Sequence, residues 1–508
     1  MTKRLSPIIL ALLLFVLFFI GMAAVQFATR DMPDNDGFYH IKLAYLMRTE
    51  GLKPAFPYLP LSILSADKFY DHHFLFHVAL IPFTFGDLRT GAKWAAVTFA
   101  SLAFLAVWYL FYRQRVPLAW LWALGLLGIS EAFLYRMSIT RAQSLSLMVL
   151  ALAFAWMLEG KVWRLGVLAF LYVWMYDAFP LLLVLGVLHL LAVAVTERRL
   201  NLRPLLFIGA GIVAGVLINP YFPNNILFSI QHMLPKLTDA TSIRVGNEWY
   251  PYDTGQLLKN SLPALIAFAG GILALGLSGR KMEARTALSL LAALVFGWML
   301  FEARRFVEYF PAFALIFAAF AWSPLLEDSF DYTESKPQPQ PGPASETGSA
   351  RSVILPFLPG AALTLAVILG IFRTVPAAQN SIRGSQPYYL YAGASNWLAQ
   401  NTPAGARVFQ TDWDDFPRLF FYNTHNTYLI GLDPTYMQLY DSKLYALWVD
   451  ITQGKVDQPS HIIATQFGCR YVHTDLAHKD FLRVAAADPG LREVYRDNQA
   501  VLFEVSAP

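Results

Sequence analysis

The sequence predicts a polytopic α-helical membrane protein with about eleven transmembrane helices, followed by a C-terminal extracytoplasmic α/β domain. Of its 508 residues, 56% are hydrophobic and only 15% are charged, whereas about a quarter of the residues in a typical soluble protein are charged. Apolar runs long enough to cross a bilayer recur through the first three quarters of the chain. Only the last part, of about 130 residues, alternates short β-type runs with helical stretches, as a small domain does.

Eleven apolar segments are long enough to be predicted as membrane spans. They are residues 6–28, 92–112, 117–134, 142–159, 164–181, 182–196, 204–219, 256–277, 286–301, 305–322 and 353–372. The first follows Lys3 and Arg4, as in a signal peptide, but it is longer than an ordinary signal-peptide core, so we expect a retained anchor. The apolar segment Phe74–Phe85 is expected to stay on the outer face, because counting it as a span would invert the topology after it.

The distribution of lysine and arginine predicts the orientation of the spans. The most cationic connections all alternate onto the side of the N-terminus; they carry Arg113 and Arg115, Lys161 and Arg164, Arg198 to Arg203, and Arg280 to Arg285. Because cationic loops favour the cytoplasm, we expect a cytoplasmic N-terminus and outer loops at 29–91, 130–141 and 220–255. The chain has no Asn-X-Ser/Thr sequon, which fits the plasma membrane of a prokaryote.

These features divide the chain into four parts. Residues 1–322 are predicted to form a transmembrane catalytic domain, and residues 323–351, rich in Pro, Ser and Gly, a cytoplasmic linker. Residues 352–375 form the last transmembrane helix. Residues 376–508 form the extracytoplasmic α/β domain, in which the runs RVFQT, TYLIGL and YVHTD are predicted strands.

The composition argues against several classes of function. The net charge of +4 comes from cations that orient the spans, and no basic stripe indicates binding to nucleic acid. The single cysteine, Cys469, excludes an intramolecular disulfide. The sequence shows no internal repeat, so it does not indicate a transporter built from inverted repeats.

Acidic residues follow the first span directly, in the stretch RDMPDNDGFYHIKL. Acidic side chains at a membrane surface are costly unless they are solvated or bind a cation. Asp34 and Asp36 are two residues apart, so on a loop both carboxylates can converge on one hard divalent ion. The alternative is that Asp36 only caps a helix that begins at Gly37.

Arginines mark the predicted outer ends of other spans. Arg136 and Arg141 are either snorkelling interface anchors or ligands of a phosphate or pyrophosphate. Arg304 and Arg305 begin a span on the outer side, against the positive-inside bias, where a lipid phosphate is the natural partner. Glu248, in the aromatic stretch GNEWYPYDTG, is either a solvated carboxylate or part of the same site.

The stretch FYDHHFLFH gathers Asp71, His72, His73 and His77. His73 and His77 are four residues apart on one helical face, a spacing that is compatible with zinc. The sequence offers no evident third His or Cys arm, so a substrate-binding or structural role is favoured over a metal site. His40, in the segment after the acidic loop, is a further candidate for substrate binding.

In order and spacing over most of the chain, these segments resemble the GT-C superfamily of membrane glycosyltransferases, and within it the catalytic subunit of oligosaccharyltransferase. NDGFYHIKL looks like the family's metal-binding motif, with Asp36 on the aspartate. SIRVGNEWYPYDTG is similar to the family's late outer loop, with Glu248 on the glutamate. Arg305 or Arg304 would match the arginine that meets the lipid-linked phosphate. The stretch QTDWDDFPRL has the setting of the C-terminal Trp-Trp-Asp motif that recognises the acceptor sequon, with Trp413, Asp414 and Asp415.

Two departures from the family pattern limit what the resemblance implies. The family's second outer loop holds an acidic pair, but YRMSITRAQS has Thr140 and Arg141 there, which removes one or two metal ligands. The Trp-Trp-Asp motif is incomplete, since the chain reads Asp412-Trp413-Asp414. Sugar transfer is therefore expected more than strict metal dependence or sequon recognition.

The resemblance implies a GT-C-like glycosyltransferase that moves a sugar or oligosaccharide from a polyprenyl-phosphate or -pyrophosphate donor to an acceptor on the outer face. Asp36 and Glu248 would be catalytic, and they would hold a divalent ion, Mg²⁺ or Mn²⁺, if one is bound. The ligands of the lipid phosphate would be Arg305, Arg304, Arg141 and Arg136. Candidates for acceptor or substrate binding are Asp34, His40, His72, His73, Trp413, Asp414 and Asp415. The partners would be the lipid-linked donor, membrane lipid and an acceptor of protein, lipid or glycan type.

Three alternatives stay open at this point. A GT-C enzyme that moves one sugar onto a lipid, polysaccharide or protein hydroxyl would explain the missing acidic pair and the incomplete acceptor motif. A transporter or flippase for lipid-linked sugars would need polar groups spread through the spans, and the charged residues instead gather on one side. A catalytically inactive assembly subunit would also tolerate the loss of the acidic pair.

Overall fold

The computed structural model describes residues 6–237, 246–334 and 358–506. The part before the C-terminal domain is helical, with 3₁₀ turns at Ile81–Thr84, Gly125–Leu127, Asn247–Trp249 and Arg304–Glu308. Its α-helices are α1 (Pro7–Gln26), α2 (Asp36–Glu50), α3 (Phe74–Leu80), α4 (Leu88–Arg113), α5 (Ala119–Leu124), α6 (Glu131–Ser138), α7 (Gln143–Leu158), α8 (Val162–Met175), α9 (Pro180–Glu197), α10 (Arg203–Leu217), α11 (Asn224–Leu237), α12 (Thr254–Ser278), α13 (Ala284–Glu302), α14 (Phe310–Glu334) and α15 (Leu358–Arg383).

Among the described residues, seven helices are long and apolar enough to cross a membrane: α1, α4, α9, α12, α13, α14 and α15. Each corresponds to one of the predicted spans. Helices α6 and α7 meet at a bend of 108° and make an eighth span if they are counted together. A helical protein with several candidate membrane spans is therefore confirmed, whereas the number eleven stays a prediction.

The four other predicted spans correspond to shorter or broken helices. Helices α7, α8 and α10 have 16, 14 and 15 residues. The predicted span 117–134 is divided into α5, a 3₁₀ turn and α6, and the break lies where Gly128 meets α15. A Cβ atom on Gly128 would lie 2.8 Å from the backbone of Gly370, so this close helix contact depends on glycine.

The connections between the helices form two groups at opposite ends of the bundle. At one end, Arg113 and Lys161 both pair with Glu159, and Arg285 donates to the carbonyl of Gln114. These residues lie in the connections predicted to be cationic and cytoplasmic. The connections predicted to be outer meet at the other end, where α7 begins. Three of the four connections that were predicted to be cytoplasmic thus contact each other, whereas the side of the membrane on which they lie stays a prediction.

Two boundaries differ from the prediction. Helix α14 continues past residue 322 to Glu334, because Leu326 is still buried in the helical core. The predicted linker at 323–351 therefore begins inside a helix, and its part beyond residue 334 lies outside the described residues. Helix α15 runs through Pro376 to Arg383, with Ala378 and Ile382 buried in the same core, so the α/β domain begins after it rather than at residue 376.

The C-terminal domain is a five-stranded mixed sheet covered by short helices. The strands are β1 (Arg407–Gln410), β2 (Thr427–Tyr428), β3 (Tyr471–Asp475), β4 (Leu491–Arg496) and β5 (Ala500–Val505), in the order β2-β1-β3-β5-β4. Strand β1 is parallel to β2 and β3, and β5 is antiparallel to β3 and β4. The helices are α16 (Ala392–Asn401), α17 (Phe416–Tyr422), α18 (Thr435–Tyr440), α19 (Ser442–Thr452), α20 (Ser460–Thr465) and α21 (Lys479–Ala487). The run TYLIGL forms a strand only at its first two residues.

The C-terminal domain packs onto the segment that follows α1. Tyr39 and Phe56 from that segment share a buried aromatic cluster with Phe420 of α17. Backbone hydrogen bonds join the two parts as well, since Tyr428 N–H donates to the carbonyl of Tyr58 at 2.8 Å. This shared core fixes the domain against the helix ends and so determines what lines the space between them.

Helices α8 and α10 pack closely side by side, and glycine permits the contact. A Cβ atom on Gly211 of α10 would lie 2.1 Å from the carbonyl oxygen of Gly166 on α8. Gly209, on the same helix, has open space where its Cβ atom would be. Alanine substitutions at Gly211 and Gly209 therefore distinguish the effect of helix–helix packing on stability from the effect of glycine on the stability of α10 itself.

We expect Gly211→Ala to destabilise the chain by about 1–3 kcal/mol, because the added methyl group must force the two helices apart. Gly209→Ala is the matched control and should be neutral or stabilising by up to about 1 kcal/mol, since alanine favours the helix. Thermal unfolding of both variants in detergent measures the difference. Equal unfolding temperatures would show that α8 and α10 do not pack as described.

Candidate active site

A large cavity lies where the C-terminal domain meets one end of the helical bundle. Its volume is about 1000 Å³, and its walls come from α2, the bend between α6 and α7, the connection from α8 to α9, the segment before α12, and two segments of the C-terminal domain. Of the residues singled out in the sequence, those that line it are Asp36, His40, His72, His73, Arg141, Glu248, Arg305, Trp413 and Asp414. Asp34, Arg136, Arg304 and Asp415 are not among its lining residues.

Asp36, Arg141, Glu248 and Arg305 form one wall of the cavity, which we call the charged wall. Arg141 lies at its centre. It lies in the bend of 108° between α6 and α7, which directs its side chain towards the loop before α2. Its Nε and Nη2 donate to the two carboxylate oxygens of Asp34, each at 2.7 Å, and Nη2 is 2.8 Å from Asp36 Oδ2. Nη1 is 3.5 Å from Glu248 Oε2. One guanidinium thus joins three carboxylates from two distant segments of the chain.

Glu248 brings the three arginines of the site together. Arg136 Nη2 donates to its Oε2 at 2.9 Å, and Arg305 Nη1 donates to its Oε1 at 3.2 Å. Burial disfavours the charged carboxylate, but Arg305, Arg136 and Arg141 outweigh it and hold the pKa of Glu248 well below its usual range. Glu248 is therefore ionised at every physiological pH.

Asp36 has a different electrostatic environment. Burial raises the pKa of its carboxyl group to about 7, with Arg141 opposing the shift and Asp34 adding to it. The carboxylate of Asp36 therefore gains a proton within the physiological pH range. The interpretation of Asp36 as a helix cap is wrong, because α2 begins at Asp36 itself and Asn35 occupies the capping position.

The two adjacent arginines at the end of α13 point in different directions. Arg305 faces the cavity, where Nη2 donates to the hydroxyl of Tyr176 at 2.5 Å and the guanidinium lies over the ring of Trp249. Arg304 donates instead to the carbonyl of Pro251 and lies over the ring of Tyr252. Of the pair, only Arg305 is placed to meet a molecule in the cavity.

The C-terminal domain contributes the third side of the cavity. Trp413 and Asp414 line it from a 3₁₀ turn at Trp413–Asp415. Asp414 accepts a hydrogen bond of 2.9 Å from Asn35, whose side chain also accepts from Arg418 at 2.7 Å. Asn35 therefore ties the acidic loop to the C-terminal domain. Asp415 points into the domain instead, where burial and the neighbouring Asp412 raise its pKa well above the usual range.

The histidines form a second wall beside the charged one. His40 follows Asp36 by one helical turn on α2, and His72 and His73 precede α3. His77 is fully buried behind them, in contact with His40 and Asp71. Among the described residues, no group of three or more His, Cys, Asp or Glu side chains is arranged to hold a metal ion. The expected preference for a substrate-binding or structural role over zinc stays a prediction.

Several residues of the site carry no distinctive sequence signal. Glu308 is fully buried and accepts from Arg136 and from Gln143, and Tyr176 and Asp177 lie in the connection from α8 to α9. A glutamate within the apolar stretch RRFVEYFPAF could have been noticed as costly unless paired. Its partner Arg136 is 172 positions away, so only the fold identifies the pair.

The carboxylates that the resemblance assigns to a divalent ion do not fit one in this arrangement. Asp36 and Glu248 both contact the guanidinium of Arg141, so a fixed positive charge already lies between them. A cation bound by the same oxygen atoms would be repelled by this charge. The acidic pair that the sequence lacks is thus replaced by a positive charge in the structure.

The sequence matches no known protein-family model, and a search of curated proteins finds no match either. Among solved structures, the archaeal oligosaccharyltransferase AglB from Archaeoglobus fulgidus, in complex with an inhibitory peptide and a dolichol-phosphate, is similar with a TM-score of 0.63. The two chains are 13% identical, and the match covers 98% of this chain and 74% of that one. The same enzyme has been solved in complex with Zn and sulfate, with a TM-score of 0.61.

Two other solved structures are similar over nearly the whole of this chain. ArnT from Cupriavidus metallidurans, bound to undecaprenyl phosphate, matches with a TM-score of 0.55 and 16% identity, over 98% of this chain and 99% of that one. The arabinofuranosyltransferase AftD from Mycobacteria matches with a TM-score of 0.55 and 15% identity, over 100% of this chain and 40% of that one. This chain therefore has the GT-C fold, which confirms the resemblance stated from the sequence.

Proposed function

We propose that this chain is a GT-C glycosyltransferase that transfers a sugar or oligosaccharide from a polyprenyl-phosphate or -pyrophosphate donor to an acceptor. The observation that carries the proposal is the cavity, in which Arg305, Glu248 and Asp36 converge although they are far apart in the sequence. Two proteins with the same fold have been solved with dolichol-phosphate and with undecaprenyl phosphate, which supports a lipid-linked donor here.

The cavity is proposed to open on the outer side of the membrane. The cationic connections lie at the opposite end of the bundle, and such connections favour the cytoplasm. In this topology the N-terminus is cytoplasmic, the C-terminal domain is extracytoplasmic, and α7, α8, α10 and the α5–α6 segment complete eleven spans. A donor lipid would reach the cavity sideways from the outer leaflet.

Arg305 is proposed to bind the donor phosphate. Guanidinium groups bind phosphate through two parallel hydrogen bonds. Arg305 lines the cavity next to Trp249 and is paired with one carboxylate, whereas Arg141 is paired with three. A phosphate would compete with Glu248 for this guanidinium. When the bond between the anomeric carbon and the phosphate oxygen breaks, the electron pair goes to that oxygen, and Arg305 stabilises the charge that develops there.

Asp36 and Glu248 are proposed to act beside the anomeric carbon. Both carboxylates line the cavity and contact Arg141, and the positive character of a reacting anomeric centre favours carboxylates near it. Glu248 stays ionised, whereas Asp36 changes its charge near neutral pH, so Asp36 is the one that can position the acceptor or exchange a proton with it. Arg136 and Arg141 hold both carboxylates in place. His72 and His73, which line the cavity, are proposed to contact the substrate, and Asp34 is proposed to hold Arg141 in place.

The acceptor is proposed to approach from the C-terminal domain. Trp413 and Asp414 line the cavity from that side, in the setting of the acceptor motif of oligosaccharyltransferases. A second candidate function is a transferase that moves a single sugar onto a hydroxyl group. The match to AftD supports it, because the name of that protein describes the transfer of an arabinofuranosyl group.

The direct test of the proposed function uses the purified full chain in lipid nanodiscs. Undecaprenyl-phosphate-linked and undecaprenyl-pyrophosphate-linked pentoses and hexoses are offered with two acceptors, an alkyl glucoside and a peptide with an Asn-Val-Thr sequon. Mass spectrometry detects the released lipid phosphate and the glycosylated acceptor. We expect release from at least one donor that depends on the acceptor. Failure with every donor would contradict the proposal.

We expect Arg305→Lys to weaken binding of undecaprenyl phosphate by roughly tenfold to a hundredfold, as the loss of one charge-assisted contact of about 1.5–3 kcal/mol implies. Lysine keeps the charge but cannot make the paired contact. Arg304→Lys is the matched control on the adjacent residue and should bind as the wild type does. Binding is measured by native mass spectrometry. Equal affinities of both variants for undecaprenyl phosphate would show that Arg305 does not bind the phosphate.

We expect sugar transfer to persist when divalent ions are removed with EDTA, because Arg141 supplies positive charge between Asp36 and Glu248. Adding Mg²⁺ or Mn²⁺ should then change the rate little. The rate of acceptor-dependent release of undecaprenyl phosphate is the measurement. Loss of activity in EDTA, with recovery on adding either ion, would show that a metal displaces Arg141 in the working enzyme.

A further inference from the structure

Three buried side chains form a continuous hydrogen-bonded chain that ends at the cavity. His77 Nδ1 is 2.7 Å from Asp71 Oδ2, and His77 Nε2 is 2.8 Å from His40 Nδ1. The exposed fractions of Asp71, His77 and His40 are 3%, 0% and 5%. Asp71 Oδ1 also accepts from the backbone N–H of His73 at 3.0 Å, which fixes the orientation of the carboxylate. The proposed function assigns no role to these three hydrogen-bonded side chains.

The hydrogen bonds determine which nitrogen atoms carry protons. An ionised carboxylate only accepts, so His77 Nδ1 donates to Asp71. Neutral His77 then has a lone pair on Nε2, which accepts from Nδ1–H of His40. The remaining nitrogen of His40, Nε2, is left with a lone pair. It has no hydrogen-bond partner among the described residues and is reachable from the cavity, which His40 lines.

The surroundings keep His40 in this neutral form. Burial lowers the pKa of His40 well below its usual value, and the neighbouring His77, Arg141 and His72 lower it further. By contrast, the carboxylates on the charged wall are all engaged with guanidinium groups. His40 Nε2 is thus a basic atom on the cavity wall that no ion pair occupies. It lies one helical turn from Asp36.

We propose that Asp71, His77 and His40 form a proton relay in which His40 is the catalytic base that deprotonates a hydroxyl acceptor. This inference rests on the proposed function and assigns its base. The acceptor oxygen forms a bond to the anomeric carbon while the bond from that carbon to the phosphate oxygen breaks. The electron pair of the broken bond stays on the lipid phosphate, and the hydroxyl proton moves to His40 Nε2.

The relay then disperses the positive charge. His40, protonated on Nε2, passes its Nδ1 proton to His77 Nε2, and the resulting imidazolium lies against the carboxylate of Asp71. An ion pair between buried groups stabilises the charge that His40 alone would carry at a cost. Asp71 and His77 are therefore positioning residues. Asp36 stays beside the acceptor as an electrostatic group and is not the base.

The test compares His40→Ala and Asp71→Asn in the transfer assay, with an alkyl glucoside as the hydroxyl acceptor. His40→Ala should lower kcat by roughly 10²- to 10⁴-fold, as expected for loss of a general base, with little change in the KM for the donor. Added imidazole should restore part of kcat in His40→Ala. Asp71→Asn should lower kcat by at least about tenfold, because an amide no longer holds His77 in the required tautomer.

Asp475→Asn is the matched control. Asp475 makes the same contact with a histidine, 2.7 Å from His478 Nδ1, but it lies in the C-terminal domain and does not line the cavity. This variant should keep wild-type kcat. Binding of undecaprenyl phosphate is measured for all variants, and normal binding shows that a variant is folded.

The outcomes separate the relay from the proposed function. If the wild type releases lipid phosphate but His40→Ala and Asp71→Asn keep its kcat, the relay is wrong and the transferase proposal stands. If His40→Ala is inactive and imidazole does not rescue it, His40 has a structural role and the relay is wrong. If the wild type uses no donor, the proposed function is wrong, and the proposed relay is wrong as well.

Discussion

The site depends on one guanidinium group. Arg141 contacts Asp34, Asp36 and Glu248, which come from two segments separated by more than half of the helical domain. Each of these carboxylates would be costly at a membrane boundary without a positive partner. These side chains are only partly buried, with exposed fractions between 14% and 31%, so the loss of one partner costs less than the about 3–5 kcal/mol of a fully buried pair, because solvent screens the charge that is left. The position of Arg141 in the bend between α6 and α7 therefore holds the loop before α2 and the segment before α12 in one place.

The same contact explains how the cavity combines opposite charges. Arg136, Arg141 and Arg305 face Asp34, Asp36, Glu248 and Glu308, so the network has one more carboxylate than guanidinium when all are ionised. The raised pKa of Asp36 relieves this imbalance, because a proton on Asp36 makes the network neutral. A donor phosphate adds negative charge next to Arg305. The charge state of Asp36 and the binding of donor are therefore coupled through Arg141 and Glu248.

The sequence predicted those features that depend on composition, order and charge alternation. Strand β3 matches its predicted run. The sequence analysis grouped Asp36, Glu248 and Arg305 because the loops that carry them were assigned to the same side, and all three line the cavity. Prediction from the sequence failed where tertiary contacts determine the local structure. The apolar run 117–134 looks continuous, but it breaks where Gly128 meets Gly370. The partner of Glu308 is 172 positions away, and His40 is 37 positions from His77, so no local pattern identifies these two contacts.

An experimental structure of the full chain with undecaprenyl phosphate would show directly where the donor phosphate binds. We expect the phosphate in the cavity, with its oxygen atoms about 2.7–2.9 Å from the guanidinium of Arg305. We also expect Glu248 to move away from Arg305 while Arg141 stays between Asp34 and Asp36. A phosphate bound at Arg304 or on the outside of the bundle, with the contact between Arg305 and Glu248 intact, would show that Arg305 does not bind the donor.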